Sequence, residues 1–481
     1  MIRSTQLPAS RIKYKNQLIK NIRSKMNMMA KYASFKLTAL LSMCLIAPLS
    51  LFAENKTGEI QIKALTDKPE AVYQKGEKIK FNVLLLEGNK PIEGKNLNYV
   101  ITRDREKTLK GTLMSKQEPV IIETGLEGPG FVLCTLSCEI EKGKFIKGAA
   151  GAAVEPLNIR ASRPVPEDFD KFWQERKKEL AKVPMKSTME PAEVPENLKG
   201  RIECFDVKID CAGRMPVSGY FARPVKAAKG SLPAIILYHG AGVRSARKPL
   251  SYAAEGMLAM DINAHGIENG KPESFYKELR DGKLKGYLHF DCDDKNKIYF
   301  KGMFLRVLRS LEFIKAQPEW DARTLIVTGP SQGGTQSLVA AGLDPQVSLC
   351  IAHVPGLCDH TGILASQPSG GPGLIKMKNG KPENENVVKT VPYFDSANFA
   401  AGIKCKTMLT VGFLDTTCPP GSVYAAYNNI KAPKEIVNNP LASHAVSTKS
   451  GTAQIKKISE HLKKMKSENT CKIPAPEGKI P

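Results

Sequence analysis

Gly329-Pro330-Ser331-Gln332-Gly333 is the segment of this chain with the clearest chemical meaning. It follows the apolar run Leu325-Ile326-Val327-Thr328 and precedes a helix-compatible stretch from Thr335 to Leu343. That is the strand–turn–helix context of a G-x-S-x-G elbow, in which small neighbours allow a strained turn to lift a serine hydroxyl clear of a sheet. The pentapeptide alone is common, and a serine in an ordinary glycine-rich turn is the plain alternative. The flanking strand and helix favour Ser331 as a nucleophile.

A serine hydroxyl attacks poorly at neutral pH, so a base and an orienting acid must follow, in the order acid then histidine for this elbow. Asp415 follows the β-like run Met408 to Leu414 and precedes Cys418-Pro419-Pro420, at the carboxyl end of a buried strand. His444 stands in Leu441-Ala442-Ser443-His444-Ala445, a loop before a final amphipathic helix around Ile455 to Met465. Singly, Asp415 reads as well as a turn or capping aspartate, and His444 as a solvated loop histidine. Their order and positions together favour a Ser331, Asp415, His444 triad. An oxyanion needs two amide donors, one on the residue after the nucleophile and one from the loop after an earlier strand. The first is Gln332. The apolar strand Pro233 to Tyr238 ends in His239-Gly240-Ala241-Gly242, and the second donor is assigned to the Ala241 amide. A glycine-rich turn with a packing histidine is the alternative there. This chemistry requires no cofactor.

With these residues in place the chain resembles the acetyl xylan esterase / cephalosporin C deacetylase family, the seventh carbohydrate esterase family. The resemblance rests on Pro164 to Trp173 (PVPEDFDKFW), Ser331-Gln332-Gly333-Gly334, Leu343-Asp344-Pro345, Val354-Pro355 with Leu357-Cys358-Asp359, Asp415 to Pro420 (DTTCPP) and Ala425-Ala426-Tyr427-Asn428. It implies an α/β-hydrolase fold and an esterase that removes acetyl groups from sugars, its triad carried by Ser331, Asp415 and His444. Two departures fall near the pocket. Asp261-Ile262-Asn263-Ala264-His265-Gly266 replaces the usual aspartate followed by Arg-Gly-Gln-Gly, and Ala241 replaces a tyrosine in the oxyanion loop. A backbone donor survives both changes, whereas pocket shape, substrate and the family's ring-like hexamer are left open by them.

The elements that must position these groups occupy a chain of 481 residues, 42% apolar, enough for two or three domains with sizeable cores. Residues 1–53 carry nine Lys/Arg and no acid, with an apolar stretch from Leu37 to Ala53 broken by Pro48. A basic start, a short apolar segment and a small residue before Glu54 read as a signal peptide, and therefore as a periplasmic or secreted protein. The long basic lead suggests initiation at Met26, Met28 or Met29. Seventeen residues containing proline make a poor membrane span. Taking the nine leader cations from a formal net charge of +23 leaves +14, which suits a lysine-rich soluble surface or an affinity for polyanions. No nucleic-acid motif accompanies the charge. Ten of the eleven cysteines follow the leader, in pairings that spacing cannot assign. Cys134 and Cys138 sit too far apart on one strand to bond, and Cys358 and Cys418 read as buried thiols. His353, Asp359 and His360 lack the spacing of a metal site.

Residues 54–157 alternate in short runs such as Ile60 to Ala64, Ile79 to Leu85, Leu97 to Ile101 and Phe131 to Cys138, separated by turns. That spacing predicts an immunoglobulin-like β-sandwich. It has no nucleophile–base pair, so it is expected to be dispensable for cleaving a small ester. Gly148–Gly151 and Arg160–Pro166 are expected as linker. Residues 158–467 alternate helices with apolar strands: Phe169–Leu180 capped near Asp168, an antiparallel hairpin of Cys204–Ile209 and Pro216–Arg223, and the helix Met303–Ile314. The parallel candidates are Ala234–Tyr238, Leu258–Ile262, Leu325–Thr328, Leu349–Val354, Thr407–Phe413 and Lys434–Val437. Residues 468–481 read as a flexible tail. The expected partner is an acetylated carbohydrate, with homo-oligomerisation left open. Two competing functions remain: a prolyl-oligopeptidase-like peptidase, which needs a β-propeller of about 4–8 blades, and a non-enzymatic glycan-binding protein on a hydrolase scaffold.

Overall fold

The computed structural model describes residues 58–104 and 106–470. The expected signal peptide, the candidate initiators and the end of the tail lie outside the described residues. The described residues belong to one compact unit.

Its first part is all β. Ile60–Thr66, Ile79–Glu87, Lys90–Pro91 and Val120–Thr124 form one sheet, while Val72–Tyr73, Lys144–Val154, Gly130–Glu141, Asn96–Arg103 and Leu109–Met114 form another. Alternation turns Phe81, Val83 and Leu85 of the first sheet and Leu97, Ile101, Val132, Cys134 and Leu136 of the second into a common apolar core. Gly148–Gly151, expected as linker, is instead part of the strand Lys144–Val154. A Cβ on Gly148 would lie 2.7 Å from Ile62, and one on Gly151 would lie 2.7 Å from the Phe413 carbonyl oxygen. Glycine here marks close approach on both faces of a strand, not a loose chain. The outer face joins the main core through Ala71, Phe131 and Ala153. The Phe131 ring meets Phe413 edge-on at 5.1 Å and lies 5.7 Å from Tyr424.

The second part is a nine-stranded sheet. Its strands are β1 (Ser187–Pro191), β2 (Ile202–Ile209), β3 (Val217–Pro224), β4 (Leu232–Tyr238), β5 (Leu258–Ile262), β6 (Trp320–Pro330), β7 (Leu349–His353), β8 (Lys406–Gly412) and β9 (Lys434–Asn439). They lie in the order β1-β2-β3-β5-β4-β6-β7-β8-β9. β1, β2 and β3 pair antiparallel, as does β3 with β5, and the remainder is parallel. β1 was not expected, because Ser187-Thr188-Met189-Glu190-Pro191 is polar and largely exposed and has no apolar alternation to announce it. Helices α1 (Phe169–Ala181), α2 (Tyr299–Lys315), α3 (Gln332–Leu343), α4 (Pro420–Asn429) and α5 (Thr448–Thr470) accompany the sheet. α1 buries Phe169, Phe172, Trp173 and Leu180 on one face. Asp168 does not cap it with its side chain. That carboxylate instead accepts from the Tyr393 hydroxyl and, at 3.2 Å, from Lys295. α5 runs to Thr470, so the tail expected from 468 begins inside a helix. Parallel pairing brings the carboxyl ends of β4, β6, β7 and β8 to one edge, where crevices form in such sheets.

Candidate active site

Ser331 stands between β6 and α3 with φ 56° and ψ −121°, a backbone conformation that non-glycine residues rarely adopt. Its neighbours explain how the chain holds it. A Cβ on Gly329 would lie 2.3 Å from the Tyr238 carbonyl oxygen, and one on Gly333 would lie 2.0 Å from the same atom. Both positions must therefore be glycine for the elbow to press against the end of β4. The Ser331 amide donates to the His353 carbonyl at 2.8 Å, and the Ser331 carbonyl accepts from the Thr335 amide at 3.0 Å. These bonds fix the turn and leave the hydroxyl half-buried.

His444 reaches that hydroxyl because Gly412 ends β8. A Cβ there would lie 2.4 Å from the Ala442 carbonyl oxygen and 2.6 Å from that of Ser443, so glycine lets the histidine loop cross the strand end. Leu414 donates its amide to Ala442 at 3.0 Å and holds the crossing. The Ser331 hydroxyl donates to His444 Nε2 at 2.9 Å, and His444 Nδ1 donates to Asp415 Oδ2 at 2.7 Å. The Asp415 carboxylate is buried, and its Oδ1 accepts from the Thr417 and Cys418 amides, each at 2.8 Å. A turn aspartate and an orienting acid had been alternative readings of Asp415. Oδ1 makes the turn bonds, and Oδ2 faces the imidazole, so the geometry fits both readings.

Beside the serine, β4 runs into His239–Gly242. Gly242 has φ +123°, which favours glycine. The backbone of Gly240 approaches Ser331, with an ideal Cβ 3.6 Å from the serine Cβ. Gln332 is the first residue of α3, where an amide has no acceptor within the helix, and among the described residues the Ala241 amide makes no backbone bond in the loops. Ala241 is exposed at the opening. Burial, reinforced by the nearby Arg244 cation, pushes the His239 imidazole down to about 3, so it is neutral. Its Nδ1 donates to the Gly240 carbonyl at 2.6 Å and its Nε2 accepts from the Ala264 amide at 3.1 Å. His239 is a brace for the loop.

Cys418, read from the sequence as a buried thiol, lines the site, and two further side chains, Tyr287 and His265, were not expected there. The Cys418 thiol lies against Ser331; burial, with a smaller contribution from the Asp415 charge, pushes it up to about 12, so it is a neutral wall group. Tyr287 and His265 come from the divergent stretch after β5 and hold Gly242 from two sides. The departure at Asn263–Gly266 and the insertion Glu268–Tyr299 mark the segments they come from but not the residues, since an aromatic residue in a polar loop has no periodic signature. The nine described cysteines, Cys358 and Cys418 included, are free thiols. Among the described residues no group of three His, Cys, Asp or Glu side chains is arranged to hold a metal. His353 bonds Thr410 and Gln454 instead. Nor is any described helix long and apolar enough to cross a membrane. The arrangement can move a proton from a serine to an imidazole anchored on a buried carboxylate, beside the Gln332 and Ala241 amides; that is the apparatus of acyl transfer.

The chain matches the acetyl xylan esterase family over residues 155–462. An acetyl esterase of Xylanibacter ruminicola, Axe7A, is 30% identical over 400 residues, covering 82% of this chain and 88% of that protein. The acetyl xylan esterase from Paenibacillus sp. R4 superposes with a TM-score of 0.55 at 28% identity, over 64% of this chain and 98% of its own. Acetyl xylan esterase 1 from Thermoanaerobacterium sp. JW/SL YS485 does so with a TM-score of 0.54 at 25% identity, over the same shares of each chain.

Proposed function

The chain belongs to the acetyl xylan esterase family and is a carboxylic ester hydrolase, and from that premise we propose that it removes O-acetyl groups from acetylated sugars or xylo-oligosaccharides, as a cephalosporin C deacetylase-like serine esterase. The observation that carries the reading is the hydrogen-bonded line from Ser331 through His444 to Asp415 at the carboxyl edge of the sheet. Ser331 attacks the acetyl carbonyl while His444 Nε2 takes its proton, and Asp415 holds the imidazole tautomer and stabilises the imidazolium. The Gln332 and Ala241 amides receive the oxyanion. His444 then returns the proton to the leaving sugar hydroxyl, and water, activated by the same imidazole, releases acetate from Ser331.

The domain reading is an α/β-hydrolase spanning 158–467 behind an immunoglobulin-like sandwich of 54–157. Two sheets between residues 60 and 154 do not supply the propeller that a prolyl-oligopeptidase-like peptidase requires. Export is part of the proposal, supported by the basic and apolar pattern of residues 1–53. Acetate release from a panel of acetylated oligosaccharides tests the substrate, with Ser331→Ala as the control. Turnover by a folded Ser331→Ala protein refutes the mechanism. A mature protein recovered from the cell envelope should begin near Glu54, and a cytoplasmic protein retaining its leader refutes export.

A further inference from the structure

An oxyanion hole stabilises charge only if its two donors sit at one fixed separation, because both must point at a single developing oxygen. In this molecule the donors come from different elements, the loop after β4 and the first turn of α3. Something must set their spacing.

Tyr287, from the segment between β5 and α2, lies between them. The Gly242 amide donates to the Tyr287 hydroxyl at 3.3 Å, and that hydroxyl donates to Gln332 Oε1 at 2.8 Å. Gly242 adjoins Ala241, and Gln332 carries the other donor on its own backbone. The phenol is 6% exposed, and its ring meets His265 edge-on at 4.6 Å. His265 Nε2 donates to the Gly242 carbonyl at 3.1 Å, and its Nδ1 accepts from the Tyr299 hydroxyl at 2.7 Å. The Gly242 residue is thus gripped on its N–H by Tyr287 and on its carbonyl by His265. Arg306 donates twice to the Ala264 carbonyl and ties the chain before His265 to α2. Tyr287, His265 and Gln332 are buried, and their bonds to Gly242 and to one another hold the loop against α3.

We propose that Tyr287 is a positioning residue for the oxyanion hole, its hydroxyl bridging the loop after β4 to α3 and setting the distance between the Ala241 and Gln332 amides. The inference rests on the serine-esterase reading and adds to it a residue that touches no substrate. Tyr287→Phe keeps the ring packing and removes the bridge. Turnover of a chromogenic acetate ester should fall roughly 10- to 100-fold, the scale of a misplaced donor, with KM changed less than about twofold. A boronic acid that forms a tetrahedral adduct on Ser331 should bind more weakly by the same factor, which a purely structural role would not produce. Gln332→Leu removes the other end of the bridge and leaves its amide, so it should match, and the double variant should be no worse than the poorer single one. If Tyr287→Phe does not fold, Gln332→Leu carries the test alone. Wild-type turnover in the folded single variants, or losses that multiply in the double variant, overturns the proposal. Ser331→Ala distinguishes failure of the esterase mechanism from failure of the clamp. An active Ser331→Ala refutes the esterase mechanism itself, whereas an inert one beside an unimpaired Tyr287→Phe refutes only the clamp.

Discussion

Gly151→Ala should slow catalysis from a strand that contributes no catalytic group. The added Cβ would lie 2.7 Å from the Phe413 carbonyl oxygen, 2.8 Å from its Cβ and 3.0 Å from its carbonyl carbon. Ordinary contact begins near 3.4 Å, so Phe413 must retreat by about 0.7 Å or the β layer must. Overpacking of this kind costs about 1–3 kcal/mol, roughly 1–4 °C in Tm for a unit of this size. Phe413 stands two residues before Asp415, whose Oδ2 lies 2.7 Å from His444 Nδ1. A shift of that size at the carboxylate stretches the bond to about 3.4 Å, beyond the range in which it orients the ring well. Complete loss of the orienting acid costs about 10⁴ in kcat, and partial misplacement should cost roughly 10- to 100-fold. Gly148→Ala is the matched control, since its Cβ would clash at 2.7–2.9 Å with Ile62, inside the β layer alone. Steady-state kinetics on a chromogenic acetate ester, with a thermal melt of each variant, reads both effects. Equal Tm losses with a kcat loss only in Gly151→Ala are expected. Unchanged kcat in both refutes the mechanical link.

Asp415→Asn should lower kcat by roughly 10⁴ with little change in KM, because the amide favours the wrong imidazole tautomer. Retention of more than a tenth of wild-type kcat would remove Asp415 from the mechanism. Ala241 is exposed at the opening, so Ala241→Tyr should crowd the substrate side; activity across acetate, propionate and butyrate esters should fall more steeply in the variant than in the wild type. Each methylene that finds apolar burial is worth about 0.8 kcal/mol, and superimposable chain-length profiles refute the wall. Burial raises the Asp261 carboxyl to about 7, so the folded state keeps a proton that the unfolded chain has released. Its contribution to stability is complete below about pH 4 and is lost as pH rises towards about 7. Asp261→Asn should flatten the fall in Tm over that window, and an unchanged slope would assign it to other groups.

The chemistry was legible in the sequence because strained turns demand particular residues. Gly329 and Gly333 are glycines since a Cβ at either would strike the Tyr238 carbonyl, and that requirement marks the turn around Ser331 in the sequence itself. Periodicity likewise revealed the buried parallel strands and their order along the chain, because each must be apolar on both faces. Ser331, His444 and Asp415 were nameable from order alone, but their juxtaposition depends on Gly412 letting the histidine loop cross β8, a contact between residues thirty apart. The edge strand Ser187–Pro191 left no trace, since pairing alone recruits it. Glycine proved ambiguous at Gly148–Gly151, where the same residue type serves either a free linker or a strand pressed on both faces. Only the tertiary structure decides which, because crowding is a property of what packs against a residue and not of the residue itself. The same holds for Tyr287 and His265. Their value lies in bridging a loop and a helix that local sequence does not relate, so the fold had to bring the two together before either side chain acquired a role.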